Sequence, residues 1–277
     1  MLKQRLITAI ILIPLFVALL LKLPPIGFNC LLLAFVLIGA WEWSSLMGLK
    51  LFVLRCLYPA FIFLLLAVFP FIAKFMPIIL MSAVVFWLLA LILVLIYPRA
   101  SSLWGESIFL RGLMGVMVLI PTFDALQFLR NTQLFGDGRG PYILLYLFIL
   151  IWGADSGAYF AGKAWGKNKL APRVSPGKTW QGLAGALFLT VLIAPLLLYF
   201  FPKPLPSLWM IEVLALITTL FSVLGDLFES MLKRNVNIKD SGKLFPGHGG
   251  LMDRIDSLTA AAPLFALGCL FLFKILH

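Results

Sequence analysis

The feature that most restricts this chain is a succession of long apolar runs that do not alternate. A helix of about 20 apolar residues crosses the ~30 Å hydrocarbon core of a bilayer. Divided by polar residues or by Pro and Gly, the runs fall at approximately 6–22, 26–43, 52–72, 76–97, 110–129, 141–162, 180–201, 208–228 and 258–276. A closed barrel is the other structure that satisfies every backbone group in lipid, but its strands would show a period of two. The runs lack that period. The expected fold class is therefore all-α, a polytopic integral membrane helical bundle of about nine transmembrane helices. Composition agrees: 62% of the residues are apolar and 12% charged, against about 45–50% and about 25% in a soluble domain. These values exclude a soluble enzyme, a disordered chain and a secreted disulfide scaffold.

The first run has the basic start of a signal peptide but no small-x-small cleavage site after it, so it reads as an uncleaved span. Most of the 22 Lys and Arg lie at the N-terminus or in the loops after even-numbered spans. That bias places the N-terminus in the cytoplasm and the C-terminus outside, in a multi-pass protein of the cell (inner) membrane. The net charge of +11 is thus a topology signal and an attraction to anionic headgroups or phosphates, not a sign of nucleic acid. Cys30, Cys56 and Cys269 lie in or beside apolar runs without a CxxC pair and read as core residues.

The chain 1–277 reads as one membrane domain, with scaffold spans in 1–130 and catalytic spans in 141–277. Two long polar loops, 163–179 and 229–257, fall on the cytoplasmic side. Loops held by a rigid scaffold are where chemistry is usually placed. No internal repeat of the kind found in many transporters is evident.

Only 11 residues are acidic, so each can be weighed. Glu106 and Asp137 lie in loops as solvated charges. Asp124 and Glu212 are expected to pair with nearby outside bases such as Arg130 and Lys203. Glu42 sits between Trp41 and Trp43; an interfacial aromatic belt explains the tryptophans and leaves the carboxylate open. The other six, Asp155, Asp226, Glu229, Asp240, Asp253 and Asp256, gather toward the cytoplasmic side. A carboxylate at the centre of a span costs roughly 2.5–3.5 kcal/mol or more, so Asp155 and Asp226 should face a cavity or a cation. Gly153, Gly157 and Gly162 near Asp155 permit either close helix approach or a broken helix.

The segment 230–256, SMLKRNVNIKDSGKLFPGHGGLMDRID, carries the sharpest signal. Asp253 and Asp256 share a face of a helix starting near Leu251, in its first turn, where the helix dipole favours anions. With Asp226 they form a hard-oxygen set suited to Mg²⁺, which takes few carboxylates and shares substrate phosphates. Gly247, Gly249 and Gly250 around His248 allow backbone to approach a phosphate. Lys233, Arg234, Lys239, Lys243 and Arg254 add positive charge. In the other loop, Ser175 reads as an N-cap with Pro176 at the first helical position, presenting N–H groups, Lys178 and Thr179 to an anion. A P-loop is excluded because Pro172 stands where its first glycine belongs. His248 lacks His or Cys partners for zinc.

The run Ser230-x-Leu232-Lys233-Arg234, then Lys239-Asp240, Pro246-x-His248-Gly249-Gly250 and Asp253-Arg254-x-Asp256 resembles the signature of the phosphatidate cytidylyltransferases, or CDP-diacylglycerol synthases. The segments GADSGAYFAGK and SPGKT and the nine-span layout are also similar to that family. The resemblance implies an Mg²⁺-dependent reaction of CTP with phosphatidate, giving CDP-diacylglycerol and diphosphate, in phospholipid biosynthesis. It implies Asp226, Asp253 and Asp256 as metal ligands. Lys178, Lys233, Lys239 and Arg254 would meet the triphosphate, with Ser175, Thr179, His248, Gly249 and Gly250 beside phosphate. Asp155 would be a further polar wall or a ligand of a second cation, and the assembly a homodimer. Gln181 departs from the family, in which many relatives have Glu, so a carboxylate role does not carry over there. Two other readings differ in class: a secondary transporter, and a CDP-alcohol phosphotransferase, whose DGxxAR and DxxxD are absent.

Overall fold

The apolar runs are helices, because lipid leaves backbone N–H and C=O groups no partner but each other. A computed structural model describes residues 14–99, 101–134, 136–200, 206–242, 244 and 249–276. Helix α1 covers 14–22 within that range. It is followed by α2 (Pro25–Leu46), α3 (Phe52–Ile72), a 3₁₀ turn (Ala73–Phe75) and α4 (Met76–Ile96). A short α5 (Ser101–Trp104) leads to α6 (Ile108–Asn131) and α7 (Gly140–Trp165). A hairpin of β1 (Lys169–Ala171) and β2 (Ser175–Thr179) precedes α8 (Trp180–Ile193), which runs on as 3₁₀ over Ala194–Phe200. The chain closes with α9 (Leu208–Asn235) and α10 (Met252–Leu276).

Among the described residues, 7 helices are long and apolar enough to cross a membrane. The third expected span is helix α3, whose apolar stretch Phe52–Val68 is shorter, and the first lies partly outside the described residues. The protein is a multi-pass helical bundle. Its boundaries differ from hydropathy in one instructive way. Helix α9 continues past 228 to Asn235, and α10 starts at Met252, near Leu251 as the Asp253 and Asp256 spacing suggests, rather than where the apolar run begins at 258, so both ends of the expected 229–257 loop are helix. Hydropathy ends a span at its first charges; these helices keep turning because their charged faces line a cavity rather than lipid.

Packing explains the small residues. Gly157 of α7 lies against the Gly185 carbonyl of α8, so closely that a Cβ at either would collide. Helix α7 is unbroken, which settles the role of Gly157 as close approach. Gly225 of α9 meets the backbone carbonyl of Asp256 on α10, which sets Asp226 beside the start of α10. The hydroxyls of Thr190 and Thr219 join α8 to α9 at 2.7 Å, and the Thr122 hydroxyl donates to the Thr259 carbonyl across α6 and α10. Helix α10 is the centre of the bundle, with Ala260, Ala261, Ala262, Phe265 and Ala266 fully buried. Outward residues such as Val85, Leu88, Leu89 and Ile92 on α4 remain exposed, as lipid-facing positions should.

The expected Asp124–Arg130 ion pair is absent, and Lys203, the base expected beside Glu212, lies outside the described residues. Arg130 spends its guanidinium on the carbonyls of Leu20 (2.8 Å) and Leu23 (2.7 Å) at the end of α1. Asp124 and Glu212 make no ion pair among the described residues, and each keeps a buried oxygen without a hydrogen-bond partner. Helix ends leave carbonyls unsatisfied, and a guanidinium within reach answers them before a carboxylate farther along the span.

Candidate active site

The hairpin positions the first cation. Its strands pair antiparallel, Lys169 with Thr179 and Ala171 with Ser175. Ser175 is therefore extended backbone in β2, and the expected cap falls four residues later. Thr179 caps α8, its Oγ1 accepting the Gly182 N–H at 3.1 Å. The correction has a local cause: residues 175–179 pair with β1, so the helix cannot start until that pairing ends. Gln181 fits the same corner, its side-chain oxygen accepting the N–H groups of Lys167 and Asn168, both at 3.2 Å. An amide supplies that acceptor as well as a carboxylate.

From β2, Lys178 reaches across to α9. Its Nζ lies 2.7 Å from Asp226 Oδ2 and donates to the Val223 carbonyl at 3.4 Å. Asp226 Oδ1 accepts from Ser230 one turn on, at 3.3 Å. These groups border a cavity of about 720 Å³ whose polar wall includes Asp155, Lys178, Thr179, Asp226, Asp253, Arg254 and Asp256, with Lys163 on its lining. Phe148, Trp152, Tyr159 and Leu183 form its apolar side. The three aspartates expected to converge therefore share one cavity, with Asp155 from α7.

Asp253 is the most heavily bonded. Oδ1 takes Lys233 Nζ at 2.6 Å. Oδ2 accepts the N–H of Gly250 (2.8 Å), the N–H of Ser241 (2.9 Å) and the Ser241 hydroxyl (3.0 Å). Lys233 also lies 3.4 Å from Glu229 Oε1, one turn back on α9. The glycines serve this arrangement. Gly249 has φ +86°, and a Cβ there would fall 2.6 Å from Asp253 Oδ2; one at Gly250 would strike Ser241 and Glu42. The space beside both glycines is taken up on this side by the protein's own carboxylates. His248 and Gly247 lie outside the described residues.

Glu42 was left open by its sequence and proves to be structural to the site. It is 3% exposed. Its carboxylate accepts the Leu251 N–H (2.9 Å) and the Met252 N–H (2.8 Å), and it shares the one Ser241 hydroxyl proton with Asp253, 3.0 Å from each. An anion thus sits on the free N–H groups at the positive end of α10, supplied by a residue about two hundred positions away in the chain. Glu229 and Ser241, also unassigned beforehand, hold Lys233 and Asp253 in place. No local motif marks such contacts. Lys239 does not join the main cavity: with Asp240 it lines a second one, beyond the strap 238–242.

Among the described residues, no three His, Cys, Asp or Glu side chains form a metal-holding group. Asp253 accepts four donors, three of them on Oδ2, where Asp226 accepts two, Lys178 and Ser230. Asp226 and Asp256 retain capacity on the cavity wall, and Asp256 Oδ1 takes only the adjacent Ser257 N–H at 2.7 Å. Two hard carboxylates and room for phosphate fit Mg²⁺, which prefers one or two carboxylates, waters and substrate oxygens to an all-protein cage.

A membrane bundle that brings carboxylates, lysines and an arginine to one end of a half-apolar cavity has the makings of an enzyme acting on phosphates at a lipid surface. The comparisons agree. The profile of the cytidylyltransferase family matches residues 3–272. A phosphatidate cytidylyltransferase of Haemophilus influenzae is 40% identical over 285 residues, covering 96% of this chain and 98% of the relative. One of Pseudomonas aeruginosa is 41% identical over 266 residues, covering 96% of each. One of Staphylococcus aureus is 35% identical over 193 residues, 62% of this chain and 74% of the relative. The chain belongs to the cytidylyltransferase family and is a nucleotidyltransferase.

Proposed function

We propose that this protein is a phosphatidate cytidylyltransferase. A phosphate oxygen of phosphatidate attacks the α-phosphorus of CTP, the bond from that phosphorus to the β-phosphate bridge oxygen breaks, and CDP-diacylglycerol and diphosphate result. The observation that carries the reading is the single cavity in which Asp226, Asp256, Lys178 and Arg254 face an apolar wall. A nucleotide arriving from water and a lipid arriving from the leaflet can both enter such a space.

The nucleophile is already an anion, so the reaction asks for alignment and charge neutralisation more than for a base. Lys178 and Arg254 supply positive charge along the wall. Lys233, locked to Asp253 and Glu229, keeps the start of α10 against α9 and adds to the local potential. Thr179, by capping α8, fixes where Lys178 points. Asp226 and Asp256 are the residues to hold Mg²⁺, with Asp253 orienting the turn and Asp155 as a further wall or a second cation's ligand. When bound, Mg²⁺ supplies neutralisation of the triphosphate and of the leaving diphosphate. Ser175, Gly249, Gly250 and His248 remain phosphate-side candidates from the family resemblance. The inner-membrane setting, the cytoplasmic N-terminus and the homodimer belong to the same proposal. Cysteine labelling from either face and cross-linking in the membrane test them.

The decisive experiment measures diphosphate release from CTP by the purified protein in detergent micelles containing phosphatidate. Release should require both phosphatidate and Mg²⁺, stop on chelation and return with added Mg²⁺. Asp256→Asn should lower turnover by about 10²-fold or more, in line with removal of a charge-stabilising group from an active site. Phosphatidate-independent release, or wild-type turnover in Asp256→Asn, would defeat the reading.

A further inference from the structure

A second cavity, of about 550 Å³, lies between the end of α2, the start of α3, residues 238–242 and Leu244. We propose that it binds the phosphodiester headgroup of a singly charged anionic membrane lipid. Three observations converge on it. The first is a pre-set guanidinium. Arg55 lies over the Trp41 ring at 4.4 Å and is fixed by bonds from Nε to Ser44 Oγ (3.1 Å) and from a terminal nitrogen to Ser45 Oγ (2.8 Å). It makes no ion pair among the described residues. Its remaining donors form the fork that suits a phosphate.

The second is charge. Lys239 lines the same space and likewise makes no ion pair among the described residues. Of the two carboxylates there, Glu42 is turned inward and spent on Ser241, Leu251 and Met252. Among the described residues that leaves Arg55 and Lys239 facing Asp240, a balance that matches one negative charge better than the two of a phosphomonoester. The third is position. Leu51, Phe52 and Val53, one residue short of Arg55, are about two-thirds exposed. Apolar residues exposed at the start of a membrane helix, beside a Trp and an Arg, mark the headgroup level. The cavity wall also includes Ile38, Ile238 and Leu244, which suit the glycerol and upper acyl carbons. A volume of this order accommodates a headgroup.

The test reads lipid binding and is independent of the reaction proposed above. Delipidated full-length protein is reconstituted into phosphatidylcholine nanodiscs with increasing phosphatidylglycerol, and retained lipid is measured by native mass spectrometry. Wild type should retain phosphatidylglycerol. Lys239→Gln and Arg55→Gln should each weaken it about tenfold, the loss of one charge-assisted contact, while Lys50→Gln, at the same end but off the cavity, should not. Lys239→Gln is the cleaner variant because Arg55 also ties Ser44 and Ser45. Equal retention in Lys239→Gln and wild type overturns the proposal, as does equal loss in Lys50→Gln, which would mean general attraction only. Displacement by millimolar inorganic phosphate would make this a free-anion site, and tighter binding of phosphatidate than phosphatidylglycerol would refute the charge argument. Either outcome overturns it.

Discussion

Replacing Glu42 with Ala removes a carboxylate that does not line the main cavity, yet the replacement should disable it. Two donors lose their acceptor, the N–H groups of Leu251 and Met252 at 2.9 and 2.8 Å, and the Ser241 hydroxyl loses one of its two, keeping Asp253 Oδ2. Hydrogen bonds to a charged group contribute about 1.5–3 kcal/mol each, and a buried donor left unpaired costs about 1–3 kcal/mol. Leu251 and Met252 are 5% and 1% exposed, so water offers little replacement. Allowing for relaxation, the variant should lose roughly 3–5 kcal/mol. At about 2–4 °C per kcal/mol, its unfolding midpoint in detergent should fall by roughly 6–20 °C. Turnover should fall by about 10²-fold, because the Ser241 that Glu42 holds also holds Asp253, and displacements near 1 Å carry that cost. The loss should appear in kcat more than in the KM for CTP. Glu42→Gln keeps one acceptor oxygen and should fall between. An Ala variant that melts within about 2 °C of wild type and turns over normally would refute the linkage from α2 to α10.

Lys233→Met strands Asp253 and Glu229, both under a tenth exposed at the side chain. It should cost about 3–5 kcal/mol, read as lost expression or an early melting transition, whereas removing Glu229 as well (Glu229→Gln) should recover part of it. Thr179→Val deletes the α8 cap bond to Gly182 and should cost about 1 kcal/mol, with Thr179→Ser near wild type in the same melting assay. Gly225→Ala puts a Cβ against the Asp256 carbonyl. It should destabilise by about 1–3 kcal/mol and lower turnover more than Gly177→Ala, where a Cβ meets nothing within 4 Å.

The sequence by itself determined the bundle, because runs of apolar residues without a period of two have few solutions in lipid. It also singled out the acidic and basic side chains that would matter: Asp226, Asp253, Asp256, Lys178 and Arg254 do reach one cavity. The start of α10 near Leu251 was equally legible, from the spacing of its two aspartates. What stayed hidden depends on distance along the chain. Nothing near Glu42 says that it will cap a helix beginning at Met252, since its partners are backbone N–H groups that every residue carries. Nor does the spacing of SPGKT reveal that Ser175 pairs with Ala171 and leaves the cap to Thr179, because strand pairing competes with helix start only once the turn has formed. Lys239 lies close in sequence to Lys233 but faces another cavity, as the strap turns between them. Local chemistry chooses which residues are costly to bury, and those are readable one at a time. Which of them meet is decided by how helices pack, at glycines such as Gly225 and Gly157, and that geometry exists only in the assembled fold.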